Sequence, residues 1–144
     1  MLGLIQRVSE ARVSVLAEVV GEIGPGLLLL LGIEKTDSET QVDRLLNKVL
    51  NYRVFGDEKD QMNLSLLEVG GELMVVSQFT LAADTKKGLR PSFSSAAGPE
   101  EAEALYRLFV DRALQFVAVQ TGRFGMDMKV SLVNDGPVTF TLSV

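Results

Sequence analysis

Two short blocks of apolar residues constrain this fold most: Leu27 to Leu31, with Gly32 and Ile33 following, and Leu73 to Val76. A strand at a solvated surface alternates apolar and polar side chains. A run without alternation reads as a strand buried on both faces. The first block follows Gly21-Glu22-Ile23-Gly24-Pro25-Gly26 and the second follows Gly70-Gly71, so turn formers introduce both. With 144 residues, 47% of them hydrophobic, and no composition shift along the chain, the sequence predicts one domain over 1–144 with a sizeable core.

The remaining elements are read around these blocks. Leu2 to Val8 and Ala11 to Val20 are β-branched and alternating, so they form a β-meander that ends in the Leu27 to Ile33 strand. Thr36-Asp37-Ser38-Glu39 fits a capping box, and Val42, Leu45, Leu46, Val49 and Leu50 follow at helical spacing, which predicts a helix over 39–52. Arg53 to Phe55 and Met62 to Leu66 read as short strands flanking a polar turn, and Glu72 to Leu81 as a central strand. Residues 82–98 form a long loop of the kind that often carries function. Pro99 suits the first position of a second helix, which the stripe Ala102, Leu105, Tyr106, Phe109, Ala113, Phe116 and Val117 extends to about Thr121. Met126 to Val133 and Val138 to Val144 close the chain as strands joined by a turn, Asn134-Asp135-Gly136-Pro137.

The chain has no histidine and no cysteine. That removes the Ser-His-Asp triad, the Cys-His dyad and zinc ligands of either type, so chemistry must come from amides, hydroxyls, carboxylates or the substrate itself. No metal or other cofactor is required by any motif. The net charge of −5 argues against broad capture of a nucleic-acid backbone by the whole surface. A nucleic acid would be held locally, and the one basic cluster is Lys86-Lys87-Gly88-Leu89-Arg90. The longest apolar stretch is far shorter than the ~20 residues of a membrane span, and the N-terminus lacks an apolar signal core; a cytoplasmic protein with no membrane partner is expected.

Two segments carry candidate chemistry. Ser77, Gln78, Phe79 and Thr80 place hydroxyl, amide and backbone N–H donors side by side at a strand end, as an oxyanion or a ribose hydroxyl requires. The same residues could equally serve as local hydrogen-bonding groups, with Phe79 in the core. The Asn134 to Pro137 run, followed by Val138 and Thr139, is a turn on composition alone, although a tight inter-strand Gly-Pro is also where a cis bond usually sits.

Together, Ser77-Gln78-Phe79-Thr80-Leu81 and Asn134-Asp135-Gly136-Pro137-Val138-Thr139 resemble the paired signature of the D-aminoacyl-tRNA deacylase family. The resemblance runs through nearly the whole chain, including Ile5-Gln6-Arg7-Val8, Ala82-Ala83-Asp84-Thr85, Arg90-Pro91-Ser92-Phe93 and Gln120-Thr121-Gly122-Arg123-Phe124. It implies an α/β single domain, a barrel-like antiparallel or mixed β-sheet with two main helices, in the fold of that family. It further implies a homodimer that hydrolyses the ester between a D-amino acid, or achiral glycine, and the 3′-terminal adenosine of tRNA. A cis Gly136-Pro137 would reach into the partner's pocket and reject L side chains by collision.

On this reading Phe79 and Thr80 offer backbone donors to the oxyanion, and Ser77 and Gln78 position the adenosine and ester. Gly136 and Pro137, with Asn134, Val138 and Thr139, form the chiral gauge, and Arg7 and the 86–90 cluster touch ribose or phosphate. The neighbouring ribose 2′-OH would assist hydrolysis. A covalent Thr80 nucleophile is the rival route, although no base is visible to activate it. A grip limited to the CCA end implies a shallow salt dependence, equivalent to roughly one or two phosphate neutralisations. Two competing functions are a small-molecule hydrolase using Asp84, Asp127 or Asp135 as base, and a binding module using Pro91 to Ser95.

Overall fold

The computed structural model describes residues 1–144. In chain order the elements are β1 (Leu2–Val15), β2 (Glu18–Ile23), β3 (Gly26–Gly32), α1 (Glu39–Asn51), β4 (Phe55–Gly56), β5 (Met62–Leu64), α2 (Leu66–Val69), β6 (Glu72–Ser77), a 3₁₀ turn (Phe79–Ala82), α3 (Pro99–Ala113), β7 (Val119–Thr121) and β8 (Lys129–Ser143). The sheet runs β2-β1-β3-β6-β7, with β8 paired to β1, and β4-β5 forms a separate ribbon. Pairings around β1 are antiparallel, whereas β3-β6 and β6-β7 are parallel, so the sheet is mixed.

The expected break between two N-terminal strands does not exist. β1 runs continuously because one edge pairs with β8 along nearly its whole length, while the other edge pairs first with β3 and then with β2. The polar pair Ser9-Glu10 marks where β3 hands over to β2. The reversal comes later, at Leu16-Ala17, where both residues take positive φ (49° and 66°). Two-residue hairpins need that geometry, but it is normally announced by Asn or Gly, and neither is present.

The two apolar blocks are buried on both faces, as their lack of alternation requires. Leu27, Leu29, Leu31, Leu73 and Val75 face α1 and α3, joining Val42, Leu45, Val49 and Phe109 in one core. Leu28, Met74 and Val76 point the other way, into a smaller core inside the curled sheet with Val8, Ala11, Val13 and Ile23. At Gly21 an added Cβ would lie 2.5 Å from the Thr121 carbonyl, so β2 leans directly onto β7 and nearly closes a barrel. No helix is long and apolar enough to cross a membrane.

Several boundaries differ from expectation for local reasons. The N-cap of α1 is Ser38, whose N–H donates to Gln41 Oε1 (2.8 Å); Asp37 instead accepts from the Glu34 N–H (2.7 Å). A capping box at Ser65 and Glu68 starts the short α2 where a strand was expected to continue, and the Ser65 N–H holds the Glu68 carboxyl below its usual range. α3 stops at Ala113, not near Thr121, because Val119 to Thr121 pair with Leu73 to Val75 as an edge strand. β6 ends at Ser77, and the next residues turn away as the 3₁₀ segment instead of extending the strand to Leu81.

The 134–137 segment is also not a hairpin turn. Val8 faces Asn134 and Gln6 faces Thr139, so both flanks pair with the same strand in the same direction. Five residues of β8 advance while β1 advances by two, and the surplus is extruded opposite Arg7 as an excursion from one long strand.

Candidate active-site cleft and the Gly-Pro excursion

A cleft of about 620 Å³ opens at the C-terminal end of β6. Val76, Ser77, Gln78 and Phe79 form one wall, and Phe93, Ala96 and Ala97 of the long loop a second. Pro99 and Ala102 enter from the start of α3, and Phe124, Gly125, Met126 and Met128 from the approach to β8. Phe79 and Phe93 meet across the lip with centroids 5.1 Å apart and rings tilted by 51°, and Phe79 stays 57% exposed despite its size. Exposure of a large aromatic beside a cavity favours contact with a ligand over a place in the core.

The polar groups of the cleft are few. The Ser77 hydroxyl has no protein partner, while the Gln78 side-chain amide donates to the Thr80 hydroxyl. In the 3₁₀ segment the backbone bonds run from Leu81 N–H to Gln78 O and from Ala83 N–H to Thr80 O. The first donors of the turn, on Phe79 and Thr80, are not taken up by these bonds. The Gln78 N–H is taken by Leu31 O (2.8 Å), so the free donors beside the cleft are the Ser77 hydroxyl and the Phe79 N–H, with the Thr80 N–H next in the chain just outside the lining. No ionisable side chain lines the cavity. Asp84 caps the Lys86 N–H, and Asp135 pairs with Arg7 (3.4 Å), so neither is placed as a base there.

Tyr106 ties two walls of the cleft together, a role the helical stripe reading of α3 did not reveal. Its hydroxyl donates to Val75 O (2.9 Å) two residues before Ser77, and its ring packs on Phe124 at 5.6 Å. Burial pushes this phenol up to about 12, against weaker opposing effects of Thr121 and Arg123. Between about pH 10 and 12 the folded state keeps a proton that the unfolded chain releases, so stability falls as pH rises through that window. Tyr106→Phe is expected to lower the unfolding free energy by about 1 kcal/mol, or roughly 2–4 °C in Tm, and to abolish that alkaline decline. Denaturant titrations at a series of pH values check both.

The excursion is a separate construction. Arg7 Nε donates to the Asp135 carbonyl (2.9 Å), and Arg7 Nη1 donates to Val54 O, which ties the extruded loop to β1 and to the segment after α1. The Gly136-Pro137 peptide is cis, and Gly136 has φ of 136°. Gln6 Nε2 reaches Thr139 Oγ1 at 3.4 Å beyond it. The Arg7 side chain is only 16% exposed, with Nε and Nη1 engaged, so it braces the excursion, and it does not line the cleft of its own chain.

Within one chain the two motifs do not meet. Arg7 sits across β3 at Leu27 and hence Leu73, whereas Ser77 is level with Leu31. Four residues of strand are about 13 Å, and β1 and β3 intervene as well. None of Asn134, Gly136, Pro137, Val138 or Thr139 lines the cleft.

Known proteins resemble this arrangement throughout. The family model described as D-Tyr-tRNA(Tyr) deacylase matches residues 4–143. A D-aminoacyl-tRNA deacylase from Pseudoalteromonas translucida (strain TAC 125) is 61% identical over 145 residues, covering all of both chains. One from Klebsiella pneumoniae subsp. pneumoniae is likewise 61% identical over 145 residues with full coverage of both. Among solved structures, the c-Myc DNA unwinding element binding protein superposes with a TM-score of 0.96 at 36% identity, covering 100% of this chain and 99% of that one. A probable eukaryotic D-amino acid tRNA deacylase shares the fold, with a TM-score of 0.85 at 16% identity over 99% and 98% of the chains. With a full-length match to the family model and relatives of this identity, the chain belongs to the D-Tyr-tRNA(Tyr) deacylase family.

Proposed function

We propose that this protein is a hydrolase that cleaves the ester of D-aminoacyl-tRNA, releasing the free amino acid and tRNA. The observation that carries the reading is the cleft itself: apolar walls, the Ser77 hydroxyl and the free Phe79 N–H at its edge with Thr80 next in the chain, and no titratable side chain. Such a site suits a substrate that is already labile and brings its own hydroxyl. Water attacks the ester carbonyl, a carbon–oxygen bond forms, and the Phe79 and Thr80 N–H groups take the developing oxyanion. The bond to the ribose 3′-oxygen then breaks and that oxygen takes up the proton the attacking water gives up, relayed through the neighbouring 2′-OH, which also orients the water. Ser77 and Gln78 hold the terminal adenosine and ester, with aromatic support from Phe79 and Phe124.

The distance between the excursion and the cleft supports a homodimer in which each copy's Gly136 and Pro137 complete the other's site. Their carbonyls would occupy the space an L side chain needs, while a D side chain or the hydrogen of glycine passes, so glycyl-tRNA is also a substrate. Arg7 acts in this scheme by holding the excursion in place. The test is release of amino acid from matched D-tyrosyl- and L-tyrosyl-tRNA by purified protein. Loss of the D ester alone is expected. Cleavage of neither above the buffer rate would overturn the reading, and cleavage of both would remove the gauge while leaving the esterase.

A further inference from the structure

We propose that the hairpin Asp84 to Ser92 is a phosphate-binding arm for the single-stranded RNA that leads into the cleft. The proposal rests on the ester-hydrolase reading and extends it to residues outside the cleft.

The base of the hairpin is closed by an isolated β-bridge and adjoins the lip. Asp84 and Ser92 exchange both backbone hydrogen bonds (2.8 and 3.1 Å), and the next residue, Phe93, packs against Phe79 and lines the cavity. At the tip, Gly88 takes φ of 71° with open space around it, and the chain reverses there. Lys86, Lys87 and Arg90 are exposed and form none of the protein's ion pairs. The one carboxylate nearby, Asp84, is turned onto the Lys86 backbone N–H (2.9 Å), with no ion pair to the ammonium. Between the cations, the Leu89 side chain is fully exposed.

Three unpaired cations within five residues stand out on a chain of net charge −5. Other cations of the chain also lack an ion pair; what sets these three apart is that they are gathered on one arm whose base adjoins the lip of the cleft. A strand whose terminal adenosine occupies the cleft carries its preceding phosphates past the lip, where these cations meet them. The acidic remainder of the surface repels the body of the RNA, so the arm supplies most of the electrostatic grip. The exposed Leu89 offers apolar contact to an unstacked base.

The experiment compares wild type with the triple variant Lys86→Ala/Lys87→Ala/Arg90→Ala on two substrates, D-tyrosyl-tRNA and 3′-(D-tyrosyl)adenosine, over about 50 to 300 mM KCl. For tRNA, kcat/KM of the variant is expected to fall about tenfold near 0.1 M salt, and its log–log salt slope to shrink by about 1.4, the value for two phosphates on a single strand. The adenosine ester lacks those phosphates and should be cleaved equally by both proteins. Equal losses on both substrates, an unchanged salt slope, or a change in oligomeric state by sedimentation would each overturn the arm. If wild type cleaves neither ester, the hydrolase reading fails by itself. Binding of a CCA-ended oligoribonucleotide carrying no amino acid then decides: weakening in the triple variant supports the arm, and unchanged affinity overturns it.

Discussion

Gly136→Ala is expected to lower the ratio of D- to L-tyrosyl-tRNA hydrolysis by about 100-fold, close to 2.7 kcal/mol of discrimination. An alanine Cβ at this position would lie 2.8 Å from Val138 Cγ2, 2.9 Å from Val138 N and 3.3 Å from Arg7 Nη2. Two of these neighbours are backbone or a β-branched side chain that cannot withdraw, and φ of 136° is closed to L residues with a side chain. The excursion must therefore move, and displacements near 1 Å typically cost about 100-fold where position decides the outcome. The excursion is exposed and lies outside both cores, so the cost to global stability stays within roughly 1–3 kcal/mol. Paired measurements of kcat/KM on the two esters, with a melting curve, separate the effects. A variant that keeps its selectivity would show that chirality is read elsewhere. Arg7→Met should act in the same direction, because it removes the donors to Asp135 and Val54 that brace the same loop.

A comparable loss is expected from deleting one backbone donor, and almost none from deleting the neighbouring side chain. Replacing Thr80 by its α-hydroxy analogue through semisynthesis converts the N–H into an ester oxygen without changing the hydroxyl. Turnover of D-tyrosyl-tRNA should fall about 100- to 1,000-fold, the usual cost of one oxyanion donor. Thr80→Ala keeps the N–H and loses only a hydroxyl that already accepts from Gln78, so it should stay within about threefold of wild type. The reverse pattern, complete loss in Thr80→Ala with an acyl-threonine trapped on wild type, would make Thr80 a nucleophile and overturn the RNA-assisted route.

The legibility of this chain in its sequence follows the range of the forces involved. Leu27 to Leu31 and Leu73 to Val76 announce double burial because a strand covered on both faces needs no polar alternation, and the cores on either side of β3 and β6 answer that demand. The stripe Val42 to Leu50 similarly predicts α1, whose burial follows that spacing. Pro99 and the acidic pair Glu100-Glu101 mark the start of α3 through first-turn chemistry that is local by nature. The S-x-x-E signal at Ser65 to Glu68 was present in the sequence too, but the apolar residues around it favoured a strand reading.

Other features depend on pairings distant in sequence. Whether Val119 to Thr121 continue a helix or join a sheet is decided by the free edge of β6, more than forty residues away. Whether Asn134 to Pro137 turn the chain back or bulge from it is decided by β1, which pairs with both flanks; the residue types suit either outcome. Arg7 reads in isolation as a cation available for RNA, and only the folded chain reveals the carbonyls of Val54 and Asp135 that engage it. By itself the sequence determined the buried strands, the two principal helices, the donor-rich Ser77 to Thr80 segment and the family. Tertiary structure alone decided that this segment opens onto an apolar cleft and that the Gly136-Pro137 excursion stands well away from it, because strand register and barrel closure are set by long-range packing that no local residue preference encodes.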